Sequence, residues 1–283
     1  ELVSTHPALP VLWGLNQPGM RAAEEMPTEL QERALGIWLN LADECIRIHK
    51  LLEDMGLHKQ LVNRILEPWL PITVVATATN WENLFFLRDH EMAQPELACL
   101  ARNAKKLYRD YSPYRSRAGQ WHLPFIHHTD VAEVSRLFEG AAWRGYSANI
   151  PMWSEEWVNA ERELENSVYS VDAALKAVAG SKPVTPIHFL ILVSVGRCAR
   201  TSYMKHDTRD RSLWDDVKLA AKLIDGDRKS GEARLHMSPY EHIASARRLA
   251  LPSGNFWGWR QLRKQLKLRN SEGGPENRGF WEK

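Results

Sequence analysis

No run of this chain is apolar for long enough to cross a bilayer. The longest, Phe189 to Val195, falls far short of the ~20 residues a spanning helix needs. A dominant charge of one sign is missing as well. Lys and Arg number 37 against 35 Asp and Glu, so no global field draws the chain to nucleic acid or to an anionic membrane. Cysteine is scarce. Cys45, Cys99 and Cys198 leave one thiol over in any disulfide scheme and show no metal-type clustering, which fits buried structural thiols in a reducing cytoplasm. No signal peptide is visible, and a start at Glu1 without Met leads to the expectation that residues precede it. What the chain does have is tryptophan, 12 in all. These rings offer flat faces to a core, a subunit interface or a flat aromatic ligand.

The hydrophobic pattern is mostly helical. Residues 1–27 read as an arm broken by Pro and Gly. A capping box of Thr28 and Gln31 opens a long helix. Leu30, Ala34, Ile37, Trp38, Leu41, Cys45, Ile48, Leu52 and Met55 recur along it at helical spacing, and Gly56 stops it. Leu57 to Leu66 predicts a second helix ended by Pro68, and the β-branched run Ile72 to Thr77 predicts a buried strand. Asn80 is placed to cap a short helix over Trp81 to Arg88, and Pro95 to open another. Leu97, Leu100, Ala101, Ala104, Leu107 and Tyr108 line one face of that helix. Ser112 to His128 reads as loop or short strand. Further helices are expected over Glu155 to Val178, from Ile187 as a buried helix carrying Arg197 to Tyr203 at its end, and over Leu213 to Ile224. Ser238 opens the last one. These elements predict an α/β (α+β) protein, helix-rich around a small, mainly antiparallel sheet. Its organisation is read as an arm (1–27), one domain of catalytic type (28–265) and a loose basic and polar tail (266–283).

Three separated words carry chemical interest. They are Trp81-Glu-Asn-Leu-Phe-Phe-Leu-Arg88 running on to Ala93-Gln94-Pro95-Glu96, Ala199-Arg-Thr-Ser-Tyr203, and His236-Met-Ser-Pro-Tyr-Glu-His242. Together they resemble the flavin-dependent thymidylate synthases. The order of the words is rotated, as in a circularly permuted, phage-like member, and permutation preserves packing when the ends of a fold lie close together. The family's Arg-His-Arg segment is not in these residues. In a permuted chain it would stand just upstream of Glu1 or come from a separate polypeptide.

The resemblance implies methylation of dUMP with FAD, NADPH and methylenetetrahydrofolate, in a homotetramer that builds its sites between subunits. That chemistry calls for Arg forks on the nucleotide phosphate and a cation that stabilises the ionised uracil ring. It also needs hydroxyls and amides on the flavin pyrophosphate. By resemblance, Arg88 is the catalytic residue that contacts the base, and Arg64 helps anchor the nucleotide. Asn83, Ser202, His236 and Ser238 would hold the flavin, and no metal is expected. Where the family often has Asn and Arg against flavin, this chain has Thr77 and Thr79, and Met92 stands where some members have His.

Plainer readings run beside these. Arg64 and Arg88 suit solvated helix positions, the latter favourable at a helix C-terminus. Asn83 suits the exposed side of a short helix. Arg197 and Arg200, three apart on one helix face, could meet a phosphate or an acidic neighbour. Ser238, Pro239 and Glu241 make a capping box by themselves, whose amides would also suit a flavin phosphate. His127, His128 and Asp130 read as a loop feature. Asn255 to Lys264 reads as an aromatic strand with a basic end. Two alternatives to methylation remain open: a hydroxymethylating relative acting on the same nucleotide, and a non-catalytic partial subunit that needs a partner segment.

Overall fold

The computed structural model describes residues 2–18, 22, 24–111, 116–138, 171–180, 182–203, 212–224, 238–247 and 252–266. Contacts divide the chain into two compact units, Glu1–Ile72 with Trp81–Pro113, and Thr73–Asn80 with Tyr114–Lys283. Both draw on the 28–265 span expected as one domain. Among the described residues the architecture is helix-rich with one small antiparallel sheet of three strands.

The first unit is helical. Helix α1 (Leu2–Thr5) precedes α2 (Thr28–Asp54), α3 (Lys59–Val62) and a 3-10 helix over Asn63–Trp69. Helix α4 (Glu82–Arg88) and helix α5 (Pro95–Asp110) pack on each other. The stop at Gly56 is as expected. Gly56 has φ +82°, its amide donates to Glu53 O and the Leu57 amide donates to Leu52 O, the pair of bonds that closes a Schellman turn.

The start of α2 differs from expectation. Pro27 occupies the N-cap without a side-chain bond, and Gln31 donates instead to Met26 O at 2.7 Å. The arm is also less loose than its prolines imply. Val3 enters a core with Ala42 and Trp69, Ala8 N donates to Trp69 O, and the Trp13 ring meets Trp38 edge-on at 6.2 Å. Aromatic area outweighs the weak local periodicity there. The second helix also runs past its expected end. The chain tightens into 3-10 geometry, which accommodates Pro68 inside the turn, and delivers the buried Trp69 against Trp38, 5.9 Å away.

Pro95 does stand at the first turn of α5. The apolar face of that helix is only partly used: Ala98 and Ala101 are buried, whereas Leu97, Leu100, Leu107 and Tyr108 stay exposed. No side-chain cap bond starts α4, whose N-cap is Trp81 rather than Asn80. The run Ile72 to Thr77 is not a buried strand. Ile72 is 82% exposed and Val74 71%, and no ladder includes them. β-Branched residues report a fit to a pleated, half-covered surface, and without a neighbouring strand that preference has nothing to act on.

The second unit is built on α8 (Pro186–Arg200), whose residues from Phe189 to Val195 are all buried, as a helix apolar on every side requires. Thr185 caps it, with His188 returning its ring to the Thr185 amide at 2.9 Å. Helix α9 (Leu213–Ile224) lies on α8 so closely that a Cβ on Gly196 would stand 2.3 Å from Asp216 O. Around this pair pack α6 (His128–Leu137) and α7 (Val171–Ala179), the latter covering the described end of the helix expected over Glu155 to Val178. Residues 141–170 of that region, and 267–283 of the tail, lie outside the described residues.

The sheet comprises β1 (Trp121–His122), β2 (Ala244–Ala246) and β3 (Trp259–Gln261), with β2 in the middle. Two histidine readings change here. His127 and Asp130 form a helix N-terminal capping box rather than a loop. The Ser-Pro word makes only a five-residue 3-10 turn, Ser238–His242, because Tyr240 is drawn into the core, where its hydroxyl donates to Ala220 O at 2.8 Å, and because β2 begins at Ala244. Glu241 does not close a capping box. It pairs with Arg263.

Candidate functional site

The site with most chemistry in the second unit grows from the alternation of its short strands. Trp121 pairs with Ser245 and His122 with Ala244, while on the other side of β2 Ala244 pairs with Gln261, Ser245 with Arg260 and Ala246 with Trp259. Directly opposed residues share a face and successive ones alternate, so His122, Ala244, Ala246, Trp259 and Gln261 share one face. The central strand contributes only methyl groups to it. The flanking rings of His122 and Trp259, two strands apart, therefore lean across to a centroid separation of 6.5 Å. Phe256 closes the group at 6.3 Å from His122 and 6.5 Å from Trp259.

His242 enters from the 3-10 turn, its Nδ1 3.1 Å from the Thr77 hydroxyl. The Thr77 segment is tied down further along. The Thr79 amide donates to Asn255 O at 3.1 Å, and the Trp257 amide donates to Thr79 Oγ1 at 2.7 Å. Both imidazoles are held below the ordinary range. His122 is exposed at the strand edge, yet the protein packed around its ring lowers it first and the neighbouring His242 adds to it. For His242, burial outweighs the upward pull of Glu241. Both shifts favour the neutral rings, each of which has one acceptor and one donor nitrogen. The cluster thus offers flat aromatic edges, two neutral imidazoles and a positioned hydroxyl.

Helix α8 holds the strand that carries His122. Ser194 donates to Pro124 O at 2.7 Å, and Arg197 Nη1 donates to Phe125 O at 2.5 Å. Phe125 has φ +62°, an unfavourable conformation for a bulky residue that persists where surrounding bonds enforce it.

Arg197 also grips Asp130 through both terminal nitrogens, at 2.5 and 2.8 Å. Its Nε reaches Asp216 at 3.2 Å, and Arg200 meets the other Asp216 oxygen at 3.0 Å. Burial pushes Asp130 up, but Arg197 and the His127 amide outweigh it and leave the carboxyl below its usual value. Of the two roles open to Arg197 and Arg200, the acidic neighbour is the one realised, and Arg200 Nη2 donates further to Asp215 O at 2.9 Å. Ser245 Oγ, on the opposite face of β2, is buried without a partner among the described residues.

The residues singled out by sequence distribute over both units. Arg64 is exposed in the Asn63–Trp69 3-10 helix, which packs on α2 and α3. Asn83 and Arg88 are exposed at opposite ends of α4, about 140° apart around its axis at 3.6 residues per turn. Asp89, next to Arg88, binds Lys105 at 2.6 Å and Arg102 at 3.4 Å, fastening the end of α4 to α5. Together with Lys106, Arg109 and Asp110 these groups line a cleft of about 320 Å³. Met92 is exposed.

In the second unit, Ser202 is exposed in the 3-10 turn after α8, and Ser238 is exposed at the head of the 3-10 turn that ends in His242. His236 lies outside the described residues. His122 was the residue sequence reading missed. Its only signal was a Trp-His-Leu stretch between Gly119 and Pro124, too short for periodicity to register. Among the described residues no group of His, Cys, Asp and Glu is assembled to hold a metal ion, and no helix is long and apolar enough to cross a membrane. Comparison with family models, with curated proteins and with solved structures gave no match to this chain.

Proposed function

We propose that this chain is a flavin-dependent enzyme that methylates dUMP to dTMP, resembling a permuted thymidylate synthase. The observation that carries the proposal is the bond between Thr77 and His242. Thr77 stands four residues before the Trp81 word and His242 ends the Ser-Pro word, so the segment leading into one word is bonded to the end of the other, which supports a permuted reading. The residues on hand that suit a flat cofactor are the accessible rings of His122 and Trp259 and the hydroxyls of Thr77 and Thr79, with Phe256 buried against both rings. FAD would supply hydride transfer between NADPH and the methylene delivered by methylenetetrahydrofolate. Asn83, Ser202, Ser238 and His236 would hold its polar parts. Arg88 would stabilise the ionised uracil and Arg64 would anchor the nucleotide, within a homotetramer in the cytoplasm.

A second reading, a non-catalytic partial subunit that binds nucleotide only with a partner segment, is favoured by the engagement of Arg197 with Asp130 and Asp216 and of Arg200 with Asp216 and the Asp215 carbonyl. Anionic phosphates need several fixed cations, and leaving them unpaired in a buried site is costly. A polypeptide carrying an Arg-His-Arg element would supply what those two arginines do not. The two readings separate in one experiment. FAD is titrated calorimetrically into Glu1–Lys283, alone and with an upstream or partner segment, alongside tritium release from labelled dUMP. The enzyme reading expects visible flavin absorbance and dUMP-dependent tritium release, at least once the segment is present. No flavin binding under either condition would overturn the enzyme reading, and no dUMP binding with the segment present would overturn the second.

A further inference from the structure

Helix α2 carries two apolar stripes, and the first unit covers only one. The inner stripe, with Trp38, Ala42, Cys45 and Ile46, packs on Val3, Leu66, Trp69 and Leu70. The outer one runs through Leu30, Ala34, Ile37, Leu41, Glu44, Ile48, Leu51 and Met55. Its steps alternate between four and three residues without a break, the spacing of a coiled-coil seam rather than of a helix lying on a broad core. The seam is open: Ile37 is 62% exposed, Leu41 51%, Leu51 50% and Met55 80%. Over 27 residues it is about 40 Å long.

We propose that this seam pairs α2 with the α2 of a second copy of the chain, in antiparallel orientation. The choice of occupant follows from the charges. Glu44 is the single ionised residue in the seam, bonded to Arg47 on its own helix at 2.6 Å. A parallel pair would set Glu44 against the partner's Glu44, like charges in the middle of the contact. An antiparallel pair in full overlap sets Leu30 against the partner's Met55, Ala34 against the partner's Leu51, Ile37 against the partner's Ile48 and Leu41 against the partner's Glu44. The positions flanking the seam are Arg33, Asn40, Arg47 and Asp54. In this register Arg33 faces the partner's Asp54, and Asn40 faces the partner's Arg47. Sliding one heptad either way loses seam residues at one end. It also brings arginine onto arginine: Arg47 onto the partner's Arg47 in one direction, Arg33 onto the partner's Arg47 in the other. The self-paired antiparallel register is therefore the one that seam and charges both favour. The inference does not rest on the flavin reading, since it uses no residue of the proposed site.

Sedimentation equilibrium of the full chain tests it. The wild type is expected as a dimer or a multiple of one. Ile37→Asp with Leu51→Asp should shift it to half the mass, with helix content by circular dichroism unchanged. Arg33→Asp and Asp54→Arg are surface changes that leave folding intact. Each alone should weaken association several-fold, and the double variant R33D/D54R should restore it, because the swapped pair again faces opposite charge. A monomeric wild type, an association indifferent to Ile37 and Leu51, or single variants that the double does not rescue would each overturn the proposal.

Discussion

His242 Nδ1 lies 3.1 Å from Thr77 Oγ1, across 165 residues of sequence. The bond holds a segment without a ladder of its own to the turn that feeds the central strand. Thr77→Val is nearly the same shape but leaves the ring nitrogen without its partner. It should cost about 1 kcal/mol in urea unfolding, and Thr77→Ser should recover most of that. Equal stability in all three would show that the bond does not hold the segment.

The two imidazoles of the site also set a pH dependence. His122 and His242 are held below the ordinary value of about 6.5, so the folded state binds fewer protons than the unfolded one once pH drops below that value. Their contribution to stability is fully present above the unfolded pKa and is lost as pH falls through the lowered folded values. His188, lowered by burial and then by Lys182, acts in the same sense. Thermal midpoints should therefore fall on going from neutral to mildly acidic buffer. His122→Phe, which keeps the ring and removes the proton, should flatten that slope. An unchanged slope would refute the assignment to His122.

Arg197 is the hinge of the buried ion network. Its side chain is 13% exposed, against 9% for Asp130 and 7% for Asp216. Arg197→Met leaves two buried carboxylates short of a partner and should cost ~3–5 kcal/mol, with Phe125 O losing its donor as well. A loss below about 1 kcal/mol in denaturant unfolding would be the cost of an exposed pair instead. Gly196→Ala probes the same crossing sterically, since its Cβ would strike the Asp216 backbone.

The thiols differ, contrary to the expectation that all three are buried. Cys198 is buried, and its pKa is pushed up to about 12 by that burial. Cys45 and Cys99 are half-buried. A chromogenic disulfide reagent at mildly alkaline pH should titrate Cys45 and Cys99 in the folded protein and Cys198 only after unfolding, because the thiolate is the reactive form. Fast reaction of Cys198 in the native state would contradict its placement on α8.

Arg88 is the residue on which the nucleotide chemistry is proposed to turn. Arg88→Ala should abolish dUMP turnover, and Arg88→Lys should not rescue it, because a point charge lacks the planar fork. Full turnover in the lysine variant would remove Arg88 from the mechanism.

The sequence by itself determined the elements whose signals are local. The α2 stop at Gly56, Pro95 at the head of α5, the buried helix from Ile187 and the helix over Leu213 to Ile224 all follow from periodicity, Cβ-free turn geometry and missing amide donors. The helix-rich class with a small antiparallel sheet followed from the same signals. What only tertiary structure decided was the use made of each residue. The strand expected at Ile72 to Thr77 had the right residues but no neighbour to pair with. The Ser-Pro word had a complete capping box in sequence, yet Tyr240 was worth more in the core and Glu241 more against Arg263. Arg197 and Arg200 could have met a phosphate or a carboxylate, and the crossing of α8 with α9 and α6 chose Asp216 and Asp130. His122 became part of a site only because two alanines in the central strand let rings from either side approach. Local propensity is a property of a few neighbouring residues. Partnership across a hundred residues is settled by packing, which no single stretch of the chain encodes.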